Sequence, residues 1–165
     1  MPVMGCRSKM KATQQLKHLQ IEAWERQHGK KVHQYFTQEF DVKQPKTAAQ
    51  LEALIDEYCS VMGAECTKIT TAGRNLMTKT KASNVLGHQR NIVDSVYIPG
   101  TTRKGTSDLI IGKQGRVLYV EVKLKDRQSP DQKAFQKRVE SFGNTYVIVR
   151  SLDEFGVEFE KFFKQ

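Results

Sequence analysis

Acidic residues are in short supply in this 165-residue chain. Eighteen Asp and Glu stand against 27 Lys and Arg, a formal charge of +9 with histidine neutral. An excess of that size points to a polyanionic partner, nucleic acid ahead of a membrane surface. Long apolar runs are missing too. Nothing approaches the roughly 20 residues needed to cross a bilayer, so neither a signal peptide nor a membrane segment is expected. The three cysteines, Cys6, Cys59 and Cys66, lack both the paired spacing of a disulfide framework and a zinc pattern, which predicts reduced thiols in a cytoplasmic compartment. His18, His28, His33 and His88 share no metal-ligand spacing, and the chain carries no internal repeat or low-complexity segment.

What is present is a regular alternation of helical and strand patterns. Residues 1–46 are basic and polar, with Leu16, Leu19, Ala23 and Trp24 at helical spacing and Gly29 as a stop. They are expected to form an N-terminal helical extension packed on the core or on a second subunit; a DNA-contacting arm is the other reading. Val32, Tyr35, Phe36 and Phe40 then suggest a short strand or packing arm. Pro45 ends this region and residues 47–165 form the main domain. Thr47, with Gln50 three residues on, has capping-box spacing, and Leu51, Leu54, Ile55, Tyr58 and Met62 make an apolar stripe that stops at Gly63. Residues 66–71 read as a strand. Residues 72–91 read as a long loop carrying Arg74, Lys79, Lys81 and Arg90, and residues 92–98 as a strand before Pro99-Gly100.

A hairpin follows: strand-like runs at 108–111 and 116–124 flank a Gly112-Lys-Gln-Gly115 turn signal. Ser129, Pro130 and Gln132 then give a cap, a first-turn proline and a capping-box partner for a helix whose buried face is Phe135, Val139 and Phe142. Residues 145–149, TYVIV, read as a strand buried on both faces, and 153–163 as a closing helix. The order predicts an α/β fold with a mixed sheet flanked by helices.

The charges in the hairpin require an explanation. Asp108 stands at the start of the first run, and Glu121 and Lys123 lie two apart inside the second, on one face of an otherwise apolar strand. Two carboxylates on adjacent strands repel one another unless a cation lies between them. A hard divalent ion such as Mg²⁺ or Mn²⁺ takes carboxylate and carbonyl oxygens, here Asp108, Glu121 and the backbone carbonyl of Val122. Such an ion activates water and offsets charge growing on a phosphate oxygen, and Lys123 on the same face would orient that water or stabilise the transition state. The combination suits phosphodiester hydrolysis. The basic residues Arg74, Lys79, Lys81, Arg90, Arg103 and Lys104 would hold DNA phosphates beside it.

Gly105-Thr-Ser-Asp108, then Glu121-Val-Lys123, then Ser129-Pro-Asp-Gln132 ahead of a helix and a Tyr-Val-Ile-Val strand, resemble the PD-(D/E)xK nuclease superfamily and within it the VRR-NUC branch of small phage and bacterial nucleases. The likeness covers residues 47–155. It implies a restriction-endonuclease-like αβββαβ core, Mg²⁺ or Mn²⁺ dependence, a homodimer in the cytosol of a bacterial or phage-infected cell, and structure-selective cleavage of branched, flap or junction DNA. It assigns Asp108 and Glu121 to the metal, Lys123 to catalysis and Gln132 to the site, although Gln132 also reads as the return arm of the Ser129 cap. Ser107 stands where the family usually has proline. Ala48 stands where many members carry a glutamate for a second metal, with Glu52 one turn on as its replacement. A non-catalytic DNA-binding module on the same fold and a sequence-specific restriction-type endonuclease are the competing functions.

Overall fold

The computed structural model describes residues 10–70, 74–83, 89–98 and 103–164. Four helices, α1 (Ala12–His28), α2 (Ala48–Val61), α3 (Pro130–Ser141) and α4 (Leu152–Phe163), flank a mixed sheet of β1 (Glu65–Lys68), β4 (Leu109–Lys113), β5 (Arg116–Val122) and β6 (Thr145–Val149). Strand order is β1-β4-β5-β6; the first two pairings are antiparallel and β5 pairs with β6 in parallel, across α3. Apart from an inserted hairpin, the order from α2 onward is therefore helix, three strands, helix, strand, with α4 closing the chain.

Local chemistry explains most of these elements. Gln114 and Gly115 both take left-handed φ, 52° and 75°, as a two-residue hairpin turn with primed geometry requires, and so fix the register that pairs Leu109 with Val120. Alternation along β4 and β5 then sends Leu109, Ile111, Leu118, Val120 and Val122 into a core with Leu51, Ile55 and Tyr58 of α2 and Phe155 and Phe159 of α4. Each buried phenylalanine in α4 contributes about 2 kcal/mol. The opposite face carries Tyr119, Glu121 and Tyr146, and α3 covers it through Phe135, whose ring meets Tyr119 and Tyr146 edge-on at 6.0 and 6.2 Å.

Helix α1 shares the main core. Ala12 and Leu16 are buried, Thr13 donates twice to Asp153, and the Tyr58 hydroxyl donates to the buried Gln15 at 2.8 Å. Its close approach to α4 depends on Gly156, where an added Cβ would lie 2.4 Å from that of Ala12.

Several expectations change. Val32 to Phe40 give no strand; Gln34–Phe40 is a 3-10 helix. The Thr47 side chain accepts from Gln50 N, but the Gln50 side chain returns to Lys46 N instead of Thr47 N, so the capping box is offset by one residue. Residues 72–91, expected as a loop, contain β2 (Arg74–Ser83), which pairs along its whole length with β3 (Gln89–Ile98) as a separate antiparallel sheet; positions 72, 73 and 84–88 lie outside the described residues. The strongly β-prone Ile92, Val93 and Val96 oppose Thr80, Lys79 and Leu76, and supply the cross-strand partners that the Thr/Lys run lacks by itself. Phe142 is not on the buried face of α3: it is 77% exposed at the helix end. Strand β6 lies at a sheet edge, so Val147 and Ile148 are half-buried and only Tyr146 and Val149 are fully so.

Candidate active site

The hairpin register brings the two acids together. With Leu109 opposite Val120, Asp108 lies level with Glu121 at the end of β4, and its carboxylate accepts the Val122 N–H at 2.9 Å. Its carbonyl accepts from Ile69 N at 2.8 Å, so Asp108 is stitched between the strands on either side. Ser107, immediately before it, is fully buried, and its hydroxyl has no hydrogen-bond partner among the described residues.

Glu121 is fully buried. Its Oε1 meets the Lys123 ammonium at 3.0 Å and accepts from Gln132 Nε2, while Oε2 accepts from the Tyr146 hydroxyl at 3.0 Å. Burial pushes the Glu121 carboxyl above the ordinary glutamate range; Lys123 pulls the other way, and the charge on Asp108 adds to the rise. Lys123 is 18% exposed at its side chain and its N–H extends the ladder to Val149 O at 3.0 Å, which places the ammonium where the buried carboxylate meets solvent.

Gln132 bonds in two directions. Its Oε1 accepts from Ser129 N at 2.9 Å, completing the capping box, and its Nε2 reaches Glu121. Glu52 is placed differently. It pairs with Lys68 of β1, and that lysine also feels the charge of Asp108, so Glu52 enters the neighbourhood already neutralised by a cation. Ala48, at the start of α2, is exposed.

Of the basic residues, Arg103 and Lys104 are exposed on the loop that leads into Asp108. That loop is held by Gly105, at φ 80°, where a Cβ would lie 2.4 Å from the main chain of Asp131 at the start of α3. Arg74, Lys79, Lys81 and Arg90 lie on the β2–β3 hairpin, whose register sets them opposite Ile98, Val93, Asn91 and Ala82 respectively. Sequence patterning missed Lys68, Tyr146, and the exposed Lys125 and Arg127 just beyond the site. The signal for Tyr146 was a phenol inside an otherwise apolar strand, since a buried hydroxyl needs an acceptor.

The donor set suits a hard divalent cation. Among the described residues no three His, Cys, Asp or Glu side chains form a metal-holding group, so the available donors are the Asp108 and Glu121 carboxylates and the Val122 carbonyl. The observation in favour is electrostatic: Asp108 and the fully buried Glu121 lie level on adjacent strands, Lys123 pairs with Glu121, and the charge of Asp108 is still felt at Glu121. Lys123, Gln132 and Tyr146 take three of the roughly four acceptor directions of Glu121, which leaves one for a cation. No helix among the described residues is long and apolar enough to cross a membrane. Compared with known proteins, the chain matches no family model, no curated protein and no solved structure.

Proposed function

We propose that this chain is a Mg²⁺- or Mn²⁺-dependent DNA endonuclease of the PD-(D/E)xK type, selective for branched, flap or junction DNA. The observation that carries the reading is the buried Glu121, paired with Lys123 and level with Asp108, at one end of a four-stranded mixed sheet flanked by helices. Asp108, Glu121 and the Val122 carbonyl would hold the ion, which when bound acidifies water and offsets charge on phosphoryl oxygens.

The chain's own groups do the rest. Asp108 is locked to the Val122 N–H, so its carboxylate stays in place without a cation. Lys123 donates from the solvent edge to the attacking water or to the charge building on the phosphate. Water adds to phosphorus, one P–O ester bond breaks, and the leaving alkoxide takes up a proton. Arg103 and Lys104 hold flanking phosphates without reading bases, with the β2–β3 hairpin as a second basic surface and a homodimer as the proposed assembly.

A non-catalytic DNA-binding module is the second reading. It is favoured by the fact that Lys123, Gln132 and Tyr146 already give both oxygens of Glu121 protein donors without an ion. Incubation of the chain with duplex, nicked, flap, fork, four-way junction and single-stranded DNA under Mg²⁺, Mn²⁺ or EDTA separates the two. Metal-dependent cleavage that Glu121→Ala or Lys123→Ala abolishes, with DNA binding retained, is expected. Unchanged cutting by either variant overturns the assignment, and wild-type binding without cutting selects the module.

A further inference from the structure

We infer that Tyr146 is a positioning residue for the Glu121 carboxylate, a role that rests on the nuclease reading. The torsion that turns a glutamate carboxylate about its last bond is broad and weakly restrained, so burial alone does not fix the plane of the two oxygens. Hydrogen bonds to both oxygens do. In this chain the work is divided among three segments: Lys123 just past β5 and Gln132 on α3 hold Oε1, and the Tyr146 hydroxyl on β6 holds Oε2 at 3.0 Å. Without Tyr146 the carboxylate keeps a pivot on one oxygen and loses its second anchor.

The donor is itself held. Tyr146 is 6% exposed and lies opposite Tyr119 in the parallel β5–β6 register, two residues from Glu121 along β5. The Phe135 ring meets both tyrosine rings edge-on. Phe135 follows Gln132 by three positions on α3, so one face of that helix supplies the donor to Oε1 and the packing that aims the donor to Oε2. The phenol stands at the donor end of this bond, because an ionised carboxylate only accepts. A carboxylate fixed in this way presents its remaining lone pair in one direction before any ion arrives, which is how outer groups tune a metal ligand.

Tyr146→Phe removes one atom and keeps the ring against Phe135. Titration of the full chain with Mn²⁺ alone, by calorimetry without DNA, reads ion binding separately from turnover. The variant, folded by circular dichroism, is expected to bind Mn²⁺ about 10–100-fold more weakly and to lose kcat by a similar factor, with its KM for flap DNA unchanged. In a Glu121→Gln background the same substitution is expected to leave Mn²⁺ binding where Glu121→Gln alone puts it. Wild-type chain that binds Mn²⁺ and cuts DNA, with Tyr146→Phe equal to it in both, overturns this role and leaves the nuclease reading intact. An equal further loss in the Glu121→Gln background also overturns it, because the hydroxyl would then act through something other than Glu121. Wild-type chain that neither binds Mn²⁺ nor cuts overturns the nuclease reading and this role together.

Discussion

Replacing Lys123 with methionine keeps most of the side-chain stem and removes the ammonium that faces the fully buried Glu121 at 3.0 Å. Removing one partner of a buried ion pair costs more than the pair contributes, because the remaining charge stays in a poor dielectric. The usual range is about 3–5 kcal/mol, and the lower end applies because Lys123 is 18% exposed and Gln132 and Tyr146 still donate to the carboxylate. For a chain of this length, about 3 kcal/mol corresponds to a fall in Tm of roughly 6–12 °C. The effect has a defined pH dependence. Glu121 is already raised above the ordinary glutamate value by burial, and Lys123 opposes that rise. A carboxyl whose folded value is raised binds its proton more tightly folded than unfolded, so stability declines as pH climbs from the ordinary glutamate range through the raised value. Lys123→Met raises it further and steepens that decline. Thermal melts in EDTA should therefore show a large gap between variant and wild type at pH 8 that narrows towards pH 5, and Glu121→Gln added to Lys123→Met should recover most of the loss. A gap below 2 °C, or one of equal size at both pH values, would refute the claim that Lys123 compensates a buried charge.

Two further substitutions probe how the site is held. Gly105→Ala forces a left-handed φ on alanine and drives a methyl group into the main chain of Asp131; a loss of about 2 kcal/mol or more in urea unfolding is expected, with slower DNA cleavage because the loop entering Asp108 must shift. Ser129→Ala removes the cap of α3 and should cost about 1 kcal/mol as a lower urea midpoint at unchanged slope. In the same variant Gln132 keeps Ser129 N as a partner, so cleavage should fall much less than in Tyr146→Phe.

What was readable in the sequence was what local chemistry determines. Thr47 and Ser129 mark helix starts through bonds that span three residues, Pro130 does so through its fixed φ, and Gln114-Gly115 fixes a hairpin register through two left-handed residues. Once that register is known, period-two alternation alone puts Asp108 and Glu121 level. The β2–β3 pairing was hidden because Lys79, Thr80 and Lys81 gain a strand only from partners ten or more residues away, and a short window along the chain does not contain them. Phe142 and the edge strand β6 were misread for the reverse reason: both are apolar enough to look buried, and exposure at a helix end or a sheet edge is decided by what the remainder of the fold leaves uncovered.

Gln132 shows why the local and distant readings of this site need not compete. A side-chain amide has its acceptor and its donors at opposite ends, so fixing one end directs the other. The capping box binds Oε1 to the Ser129 N–H, and the N-terminal turn of α3 is rigid because the Ser129 hydroxyl also accepts from Gln132 N. Nε2 is then obliged to point away from the cap, across to β5, where the buried carboxylate of Glu121 lies 11 residues earlier in sequence. A glutamate at position 132 would complete the same cap and set a third acid against Asp108 and Glu121. The amide satisfies the helix and supplies a neutral donor to the carboxylate, so the residue type follows from the two constraints jointly.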